Sequence, residues 1–304
     1  MLNDKSASQT FSIITGNCKE VLSTYGENFF HSCITDPPYG MGMDHWDYSV
    51  PDVSIWREVY RTLRPGAFCL AFCSPELYHR LACNVEDAGF TIKDQIMWMT
   101  TTKMTKYNRL KPAHEPIVVA QKPYLGSLKS NHEEWGCGLI DIDNNRVPWE
   151  KKPPKGWLKE GGKRRTFGRA GITTGSKNEY ETMDANPNGR YPSNIIGDVG
   201  SNEQKYFYAP RATRKEKGDN NDHPTVKPVS LMEYLIRIYC PVNCIVLDPF
   251  CGSGTTGVAA IKQKREFIGI ELNKHYCKIA KNRIDVTVEE VSPKSPNPLE
   301  DALY

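Results

Sequence analysis

Short apolar runs alternate with amphipathic segments along residues 11 to 120. The apolar runs have the length and composition of buried strands: "FSIIT", "HSCIT", "AFCLAFC", "TIKDQIMWM" and "EPIVVAQK". Between several of them lie helical patterns: "CKEVLSTYG", which we expect to end at Gly26, "DVSIWREVYRTLRPG" and "ELYHRLACNVEDAG". Strands that alternate with helices predict an α/β fold with a doubly wound, mostly parallel sheet.

The clearest helical pattern is "DVSIWREVYRTLRPG". Its apolar residues recur at the spacing of one helix face: Val53, Trp56, Val59, Tyr60 and Leu63. Proline lacks the backbone N–H that a helix interior needs, and glycine is a poor helix former. We therefore expect Pro65-Gly66 to end this helix and the next strand to begin after it.

The alternation is lost between about residue 122 and residue 222 and returns afterwards. The middle segment is rich in Gly, Pro, Asn and basic residues, with ten Lys or Arg against two acids from Arg146 to Lys177. From residue 223 the chain again predicts helices and strands, in the order "VSLMEYLIRIYC", "CIVLD", "TTGVAAIKQK", "EFIGIE" and "NKHYCKIAKNRI". We therefore predict two halves of one α/β domain (1–121 and 223–284), an irregular insertion (122–222) and a loosely held tail (285–304).

The composition is typical of a globular enzyme, with 39% hydrophobic and 25% charged residues and a net charge of +3. No apolar run approaches the roughly 18 residues that a membrane-spanning helix needs, and the start "MLNDKSASQT" has no apolar signal segment. The ten cysteines form no CxxC pair, and the spacings in "CLAFC" and "CPVNC" suit zinc poorly. We expect a cytoplasmic protein with buried free thiols, no metal site and no membrane contact.

The stretch "SCITDPPYG" carries the first chemical signal, because a buried strand ends abruptly in Asp36-Pro37-Pro38-Tyr39. The prolines remove backbone N–H groups, so the turn offers a carboxylate, carbonyl oxygens and an aromatic ring but few donors. Such a turn suits the exocyclic amine of a base. Asp36 and the Pro37 carbonyl can accept the hydrogens of the amine while Tyr39 stacks on the ring. The alternative is a purely structural Pro-Pro turn after a strand.

The stretch "IVLDPFCGSGTTGVAA" carries the second signal, a strand that ends at Asp248 and leads into a glycine-rich turn and a helix. Gly252, Gly254 and Gly257 match G-x-G-x-x-G, and no P-loop Lys-Ser/Thr follows. About twenty residues beyond Gly252, Glu271 ends the next strand, where a carboxylate can accept both hydroxyls of a ribose. Both motifs follow strands of one sheet, so we expect them to share a crevice at its carboxyl edge. A nicotinamide-binding site is the alternative.

These motifs resemble those of the amino-group DNA methyltransferases, which use S-adenosylmethionine. "DPPY" is similar to their catalytic motif and "DPFCGSGTTG" to their cofactor loop, and the order, with the catalytic motif first, resembles the circularly permuted beta class. "HPTVKP" and "GNCKEVL" resemble further cofactor segments, while "LKPAHEPIVVAQKP", "GRYPSNII" and the basic stretch after "YFYAPRA" resemble a phage and prophage subgroup. The resemblance spans most of residues 12 to 284 and implies the Rossmann-like class I methyltransferase fold.

The resemblance also implies roles for individual residues of the cofactor site. Asn17 would hydrogen-bond adenosine without the charge of the usual Asp, Phe250 would pack near the adenine, and Lys227 would approach the methionine carboxylate. The other residues expected to contact the cofactor are Thr225, Asp248, Gly252, Ser253, Gly254, Thr255 and Glu271. "His114-Glu115-Pro116" has the composition of a hydrolytic pair without a nucleophile, and we interpret it as the entry to a strand.

The basic middle segment is expected to recognise double-stranded DNA, because lysine and arginine side chains neutralise phosphates. The residues predicted to bind DNA are Lys163, Arg164, Arg165, Arg169, Arg211 and Arg214. The alternative is a basic loop that is merely solvated.

The leading functional hypothesis is site-specific methylation of adenine N6 in duplex DNA after base flipping. It rests on the resemblance, because an Asp before Pro-Pro mostly accompanies adenine in that family. Methylation of cytosine N4 is the nearest alternative. A NAD(P)-dependent dehydrogenase would leave "DPPY" and the basic insertion unexplained, and a catalytically dead DNA-binding module would leave the reactive groups unexplained. A homodimer and a cognate restriction endonuclease, as in restriction-modification systems, are open as partners.

Overall fold

The computed structural model describes residues 11–42, 47–100, 108, 110–149, 156–159, 180–183, 186–197 and 226–292. The strands are β1 (Phe11–Thr15), β2 (Phe30–Thr35), β3 (Leu63–Phe72), β4 (Thr91–Met99), β5 (His114–Gln121), β6 (Gly156–Lys159), β7 (Tyr180–Met183), β8 (Ile195–Gly197), β9 (Ile245–Asp248) and β10 (Glu266–Glu271). The α-helices are α1 (Cys18–Ser23), α2 (Val53–Thr62), α3 (Tyr78–Asp87), α4 (Leu128–Trp135), α5 (Val229–Tyr239), α6 (Thr255–Lys262) and α7 (Lys274–Val291). A 3-10 turn spans Asp143–Asn145.

Eight strands form one sheet in the order β1-β10-β9-β2-β3-β5-β4-β8. Neighbouring strands are parallel except at β5, which runs antiparallel to both β3 and β4. β6 and β7 form a separate antiparallel pair. β9 and β10 lie between β1 and β2, so the chain segments before and after the middle segment build one sheet. The predicted α/β fold with a mostly parallel sheet is confirmed.

Helices cover both faces of the sheet, because successive side chains of a strand point to opposite faces. On β3, Leu70 and Phe72 pack in the same hydrophobic cluster as buried residues of α5, α6 and α7. Cys69 and Ala71 pack instead with buried residues of α1, α2 and α3. The sheet is therefore doubly wound, as predicted. In the described part of the chain, no helix is both long and apolar enough to cross a membrane.

The boundary between α2 and β3 differs from the prediction. Helix α2 ends at Thr62, and Leu63 already has an extended backbone (φ −75°, ψ 147°) as the first residue of β3. The register of β3 against β2 shifts between the paired positions Leu63 and Phe68, so Pro65 and Gly66 lie in an irregular part of the strand. A proline is tolerated there because no regular ladder hydrogen bond is lost. The prediction that Pro65-Gly66 ends the helix was wrong.

Two helix ends also differ from the expected ones. Helix α1 ends at Ser23, before the expected Gly26. Helix α7 continues beyond Ile284 to Val291, because it buries Thr287 and packs Val288 against the core. The first residues of the expected C-terminal tail are therefore a packed continuation of the last helix.

One strand of the main sheet comes from the middle segment. Strand β8 contains the end of "GRYPSNII" and pairs parallel with β4, with Ile195 opposite Met97. Ile196 is buried in the same cluster as α5 to α7. The middle segment thus contributes an edge strand to the eight-stranded sheet, which its irregular composition did not predict.

Gly257, the third glycine of the G-x-G-x-x-G pattern, lies inside α6 and packs against the sheet and α7. A Cβ atom there would lie 2.4 Å from Ile284 Cδ1 and 2.6 Å from Phe267 Cδ1. We expect Gly257→Ala to lower the free energy of unfolding by about 1–3 kcal/mol, because an overpacked core must shift side chains or backbone. Urea unfolding measures the change. Gly26→Ala is the matched control, because a Cβ at Gly26 would meet no atom within 4 Å.

Candidate active site

The two sequence motifs lie side by side at the carboxyl edge of the sheet, because β2 and β9 are neighbours. The Thr35 hydroxyl at the end of β2 donates a 2.7 Å hydrogen bond to Asp248 at the end of β9. A cavity of about 540 Å³ opens at this edge, lined by the Asp36–Tyr39 turn on one side and by Phe250, Gly252 and Glu271 on the other. The predicted sharing of one crevice by both motifs agrees with this geometry.

The glycine turn is shaped by left-handed backbone conformations. Gly252 (φ 52°) and Gly254 (φ 81°) both adopt positive φ angles, which favour glycine. A Cβ on Gly254 would lie 2.9 Å from the Cα of Ala280 on α7, so no side chain fits there. The turn therefore packs closely on α7 while its other side lines the cavity.

Glu271 holds the glycine turn from the end of β10. Its Oε2 accepts a 2.8 Å hydrogen bond from the Gly252 N–H, and its Oε1 accepts one of 2.8 Å from the Asn273 N–H. Burial raises the pKa of Glu271, against the backbone donors, which lower it. Each carboxylate oxygen has a second lone pair, so both can accept a further donor from a ligand in the cavity.

Asp248 stabilises the start of the glycine turn through buried hydrogen bonds. Its oxygens accept hydrogen bonds from the hydroxyls of Thr35 (2.7 Å) and Thr256 (2.6 Å) and from the Phe250 N–H (3.1 Å). Burial raises its pKa to about 6, and these donors act in the opposite direction. The contacts explain why an acid ends β9, and the expected contact of Asp248 with the cofactor stays a prediction.

The remaining described cofactor candidates line the same cavity or support its wall. The Asn17 Oδ1 caps α1 by accepting a 3.0 Å hydrogen bond from the Lys19 N–H. Arg283, which the sequence analysis missed, donates from Nη1 to the Ser253 carbonyl (2.6 Å) and to the Thr255 hydroxyl (3.2 Å). Its position on α7 explains how the start of α6 is held, but an arginine in a helical pattern carries no sequence signal for this role.

The Asp36–Tyr39 turn is part of a cluster of four polar side chains. The Tyr39 hydroxyl lies 2.6 Å from Asp36 Oδ1 and 3.1 Å from Glu115 Oε2. The Lys227 ammonium forms an ion pair with Asp36 Oδ2 and lies 3.5 Å from Glu115 Oε2. Lys227, expected near the methionine carboxylate, is thus in contact with the predicted catalytic carboxylate.

Burial and mutual charge set the ionisation of this cluster. Burial raises the pKa of Asp36; Lys227 lowers it and Glu115 raises it, and the net shift is upward. Burial lowers the pKa of Lys227, but the Asp36 and Glu115 charges outweigh burial and raise it above its ordinary value. Burial and the same two carboxylates raise the pKa of Tyr39 well above its ordinary value. Lys227 is therefore cationic and Tyr39 stays a hydrogen-bond donor at neutral pH.

Glu115 is the site residue that the sequence analysis interpreted differently. His114 does begin β5, as the strand-entry interpretation predicts, but Glu115 is 7% exposed and contacts Tyr39 and Lys227. Glutamate is rarely buried unless it is paired. An acid at the start of the apolar run "EPIVVAQ" was therefore a usable signal for a polar site.

The geometry is consistent with a known family. The chain matches the DNA methylase family N6_N4_Mtase over residues 30–282. The chain belongs to this family. It is a DNA methyltransferase of the N6/N4 amino-methyltransferase type, and a nicotinamide-dependent dehydrogenase is no longer a candidate.

Several known proteins are similar to this methylase. YubD of Escherichia coli (strain K12) is 48% identical over 282 residues, which cover 89% of this chain and 88% of YubD. The protein in the crystal structure of the M1.HpyAVI–SAM complex has 22% sequence identity to this chain. The two structures align with a TM-score of 0.52 over 90% of this chain and 99% of M1.HpyAVI. The cytosine-N4-specific PvuII DNA methyltransferase is 15% identical with a TM-score of 0.59, covering 96% of this chain and 90% of the other. At these identities the two structures establish the fold.

Part of the predicted site of the methylase lies outside the described residues. These predictions are Thr225 near the cofactor and the DNA-binding set Lys163, Arg164, Arg165, Arg169, Arg211 and Arg214. In the described part of the middle segment, the Arg190 guanidinium stacks 4.2 Å over Trp149 and that of Arg146 lies 4.5 Å over Tyr191.

Among the described residues, no group of three or more His, Cys, Asp or Glu is placed to hold a metal ion.

Proposed function

We propose that the methylase transfers a methyl group from S-adenosylmethionine to the N6 amine of adenine in duplex DNA. The observation that carries this proposal is the carboxylate of Asp36, which precedes two prolines without backbone N–H groups and lines the same cavity as the glycine turn. The acid before Pro-Pro supports adenine, and the order of the two motifs supports membership of the circularly permuted beta class with its DPPY motif. The similarity to the phage and prophage subgroup belongs to the same proposal.

The described residues fit S-adenosylmethionine. The cavity of about 540 Å³ lies within the range of roughly 300–1,000 Å³ that is usual for small-molecule sites. Glu271 can accept the ribose hydroxyls, while Phe250 lines the cavity beside the buried Trp56, 6.4 Å away between ring centroids, as a wall for the adenine. Gly252, Ser253, Gly254, Thr255 and Asn17 would border the rest of the cofactor. When bound, the cofactor supplies an electrophilic methyl group.

The catalytic turn acts on the amine of the flipped base. The nitrogen lone pair would form the new N–C bond while the bond between the methyl carbon and the cofactor sulfur breaks and its electron pair stays on the sulfur of the demethylated product. The amine becomes tetrahedral and gains positive charge. Asp36 and the Pro37 carbonyl accept its two hydrogens, and Pro37 and Pro38 contribute no competing N–H donor. Tyr39 stacks on the base, and Asp36 takes up the proton that the methylated amine loses.

The identity of the methylated base tests the proposal. The methylase is incubated with labelled S-adenosylmethionine and duplex DNA of mixed sequence, and the digested nucleosides are separated by chromatography. We expect label in N6-methyl-2′-deoxyadenosine. Label only in N4-methyl-2′-deoxycytidine would establish the alternative substrate, and DNA binding without label would support a catalytically dead DNA-binding module.

Residues 122–222 are proposed as the target-recognition insertion. We expect the logarithm of DNA affinity to fall linearly with the logarithm of salt concentration, because each neutralised phosphate contributes about 0.9 to the slope. Replacing Lys163, Arg164 and Arg165 together by alanine should flatten the slope and leave cofactor affinity unchanged. The matched control replaces the exposed Lys93, Lys262 and Lys278 together. Equal slopes for wild-type and the first variant would assign DNA binding to another surface.

The expected homodimer, cognate restriction endonuclease and cytoplasmic location stay predictions. A homodimer is tested by sedimentation of the methylase with and without DNA. A cognate endonuclease would be one whose cleavage of DNA is blocked by prior treatment with this methylase, and the site that it cuts would reveal the target sequence.

A further inference from the structure

Both oxygens of the Asp36 carboxylate are already engaged by donors of the protein. Tyr39 contacts Oδ1 and Lys227 contacts Oδ2, so the acceptor that should receive the target amine is shared with two other groups. Both donors also lie near one further acceptor. Glu115 Oε2 is 3.1 Å from the Tyr39 hydroxyl and 3.5 Å from the Lys227 ammonium.

The positive charge of Lys227 affects the reaction because it lies next to the carboxylate that should bind the target amine. A nitrogen that attacks a methyl group becomes positive, and a neighbouring ammonium opposes that change, more strongly where water is excluded. Asp36 and Lys227 together carry no net charge. When Asp36 and Glu115 are both ionised, the cluster carries a net charge of −1, which is the sign that stabilises the developing ammonium. The side chains of Lys227 and Glu115 are only 8% and 9% exposed, so solvent screens them weakly.

We propose that Glu115 is a positioning residue for methyl transfer. Its negative charge balances the positive charge of Lys227, and its Oε2 accepts hydrogen bonds from Lys227 and the Tyr39 hydroxyl when the target amine binds Asp36. Glu115 does not touch the reacting atoms. It acts through Lys227 and Tyr39, whose present distances to Oε2 require only small movements. The inference rests on the proposed role of Asp36 and applies to an adenine or a cytosine amine alike.

Removing the Glu115 charge should lower the rate of methyl transfer. Removing the Lys227 charge in the same variant should raise that rate again. Glu115→Gln keeps the size of the side chain but gives a cluster with no net charge. Its single-turnover rate should fall roughly 10- to 100-fold, less than the loss expected for a group that contacts the reacting amine. Glu115→Gln combined with Lys227→Met restores a net charge of −1 and should be at least about fivefold faster than Glu115→Gln alone, because the two sites are in contact and not additive.

The experiment measures transfer of labelled methyl groups to duplex DNA at saturating cofactor, with saturation established by calorimetric titration of each variant. Glu86→Gln on α3 is the matched control, because Glu86 is exposed and outside the cavity lining. Thermal unfolding of all variants separates a rate change from a loss of fold. A merely structural role of Glu115 would make the double variant slower than Glu115→Gln.

The outcomes separate this inference from the proposed function. Transfer by Glu115→Gln within about threefold of the wild-type rate overturns the inference alone, as does a double variant no faster than Glu115→Gln. Absence of transfer by the wild-type methylase overturns the proposed reaction itself. A slow Glu115→Gln variant that Lys227→Met accelerates supports the inference.

Discussion

Asp36→Asn is expected to lower the single-turnover rate of methyl transfer by roughly 100- to 1000-fold, the usual effect of removing one group that stabilises transition-state charge. Asparagine keeps the shape of the side chain but removes the negative charge that meets the developing ammonium. The loss should lie in the chemical step, because the carboxylate interacts most strongly with the transition state. The fold should survive, since Lys227 keeps Glu115 as a second partner.

The measurement is transfer of labelled methyl groups to duplex DNA with enzyme in excess over sites. Asp87→Asn on α3 is the matched control, because Asp87 is exposed and does not line the cavity. Calorimetric titration should find S-adenosylmethionine affinity close to that of the wild-type methylase. Near-normal transfer by Asp36→Asn would contradict the role proposed for the acceptor turn, whatever the affinity for DNA.

Glu271→Ala is expected to weaken binding of S-adenosylmethionine and of its demethylated product by roughly 10- to 150-fold. Hydrogen bonds to a charged group contribute about 1.5–3 kcal/mol each, and the ribose hydroxyls would lose their acceptor. The variant also releases the Gly252 and Asn273 N–H groups, so the glycine turn loses its anchor. Glu271→Gln keeps one acceptor oxygen and should lie between wild-type and Glu271→Ala.

Isothermal calorimetry with each ligand gives these affinities, and NAD serves as the ligand that should not bind. Glu266→Ala is the matched control, because Glu266 is an exposed glutamate at the opposite end of the same strand, β10. Unchanged S-adenosylmethionine affinity in Glu271→Ala, or tight NAD binding by the wild-type methylase, would contradict the assignment of the cavity.

Local patterns predicted the parts of the site that are continuous in sequence. The Asp36–Tyr39 turn follows β2 and the Gly252–Gly254 turn follows β9, as the apolar runs and the prolines and glycines indicated. Patterns of this kind are informative because proline restricts its own φ angle and glycine allows positive φ angles that other residues rarely adopt. Patterns were less informative where tertiary packing competed with them, as at Leu63, which continues the helical spacing of α2 but begins β3.

The amino-acid pattern alone was enough to predict the fold class, the two motifs at the carboxyl edge and several of the residues that line the cavity. The three-dimensional arrangement was needed to show that Lys227, 191 residues from Asp36, contacts that carboxylate. It was also needed to show that Glu115 contacts Lys227 and Tyr39 and that β8 pairs with β4. The physical reason is that these contacts depend on strand order and register across the whole sheet. Apolar periodicity and turn residues report the conformation of one segment and carry no information about which distant segment lies opposite it.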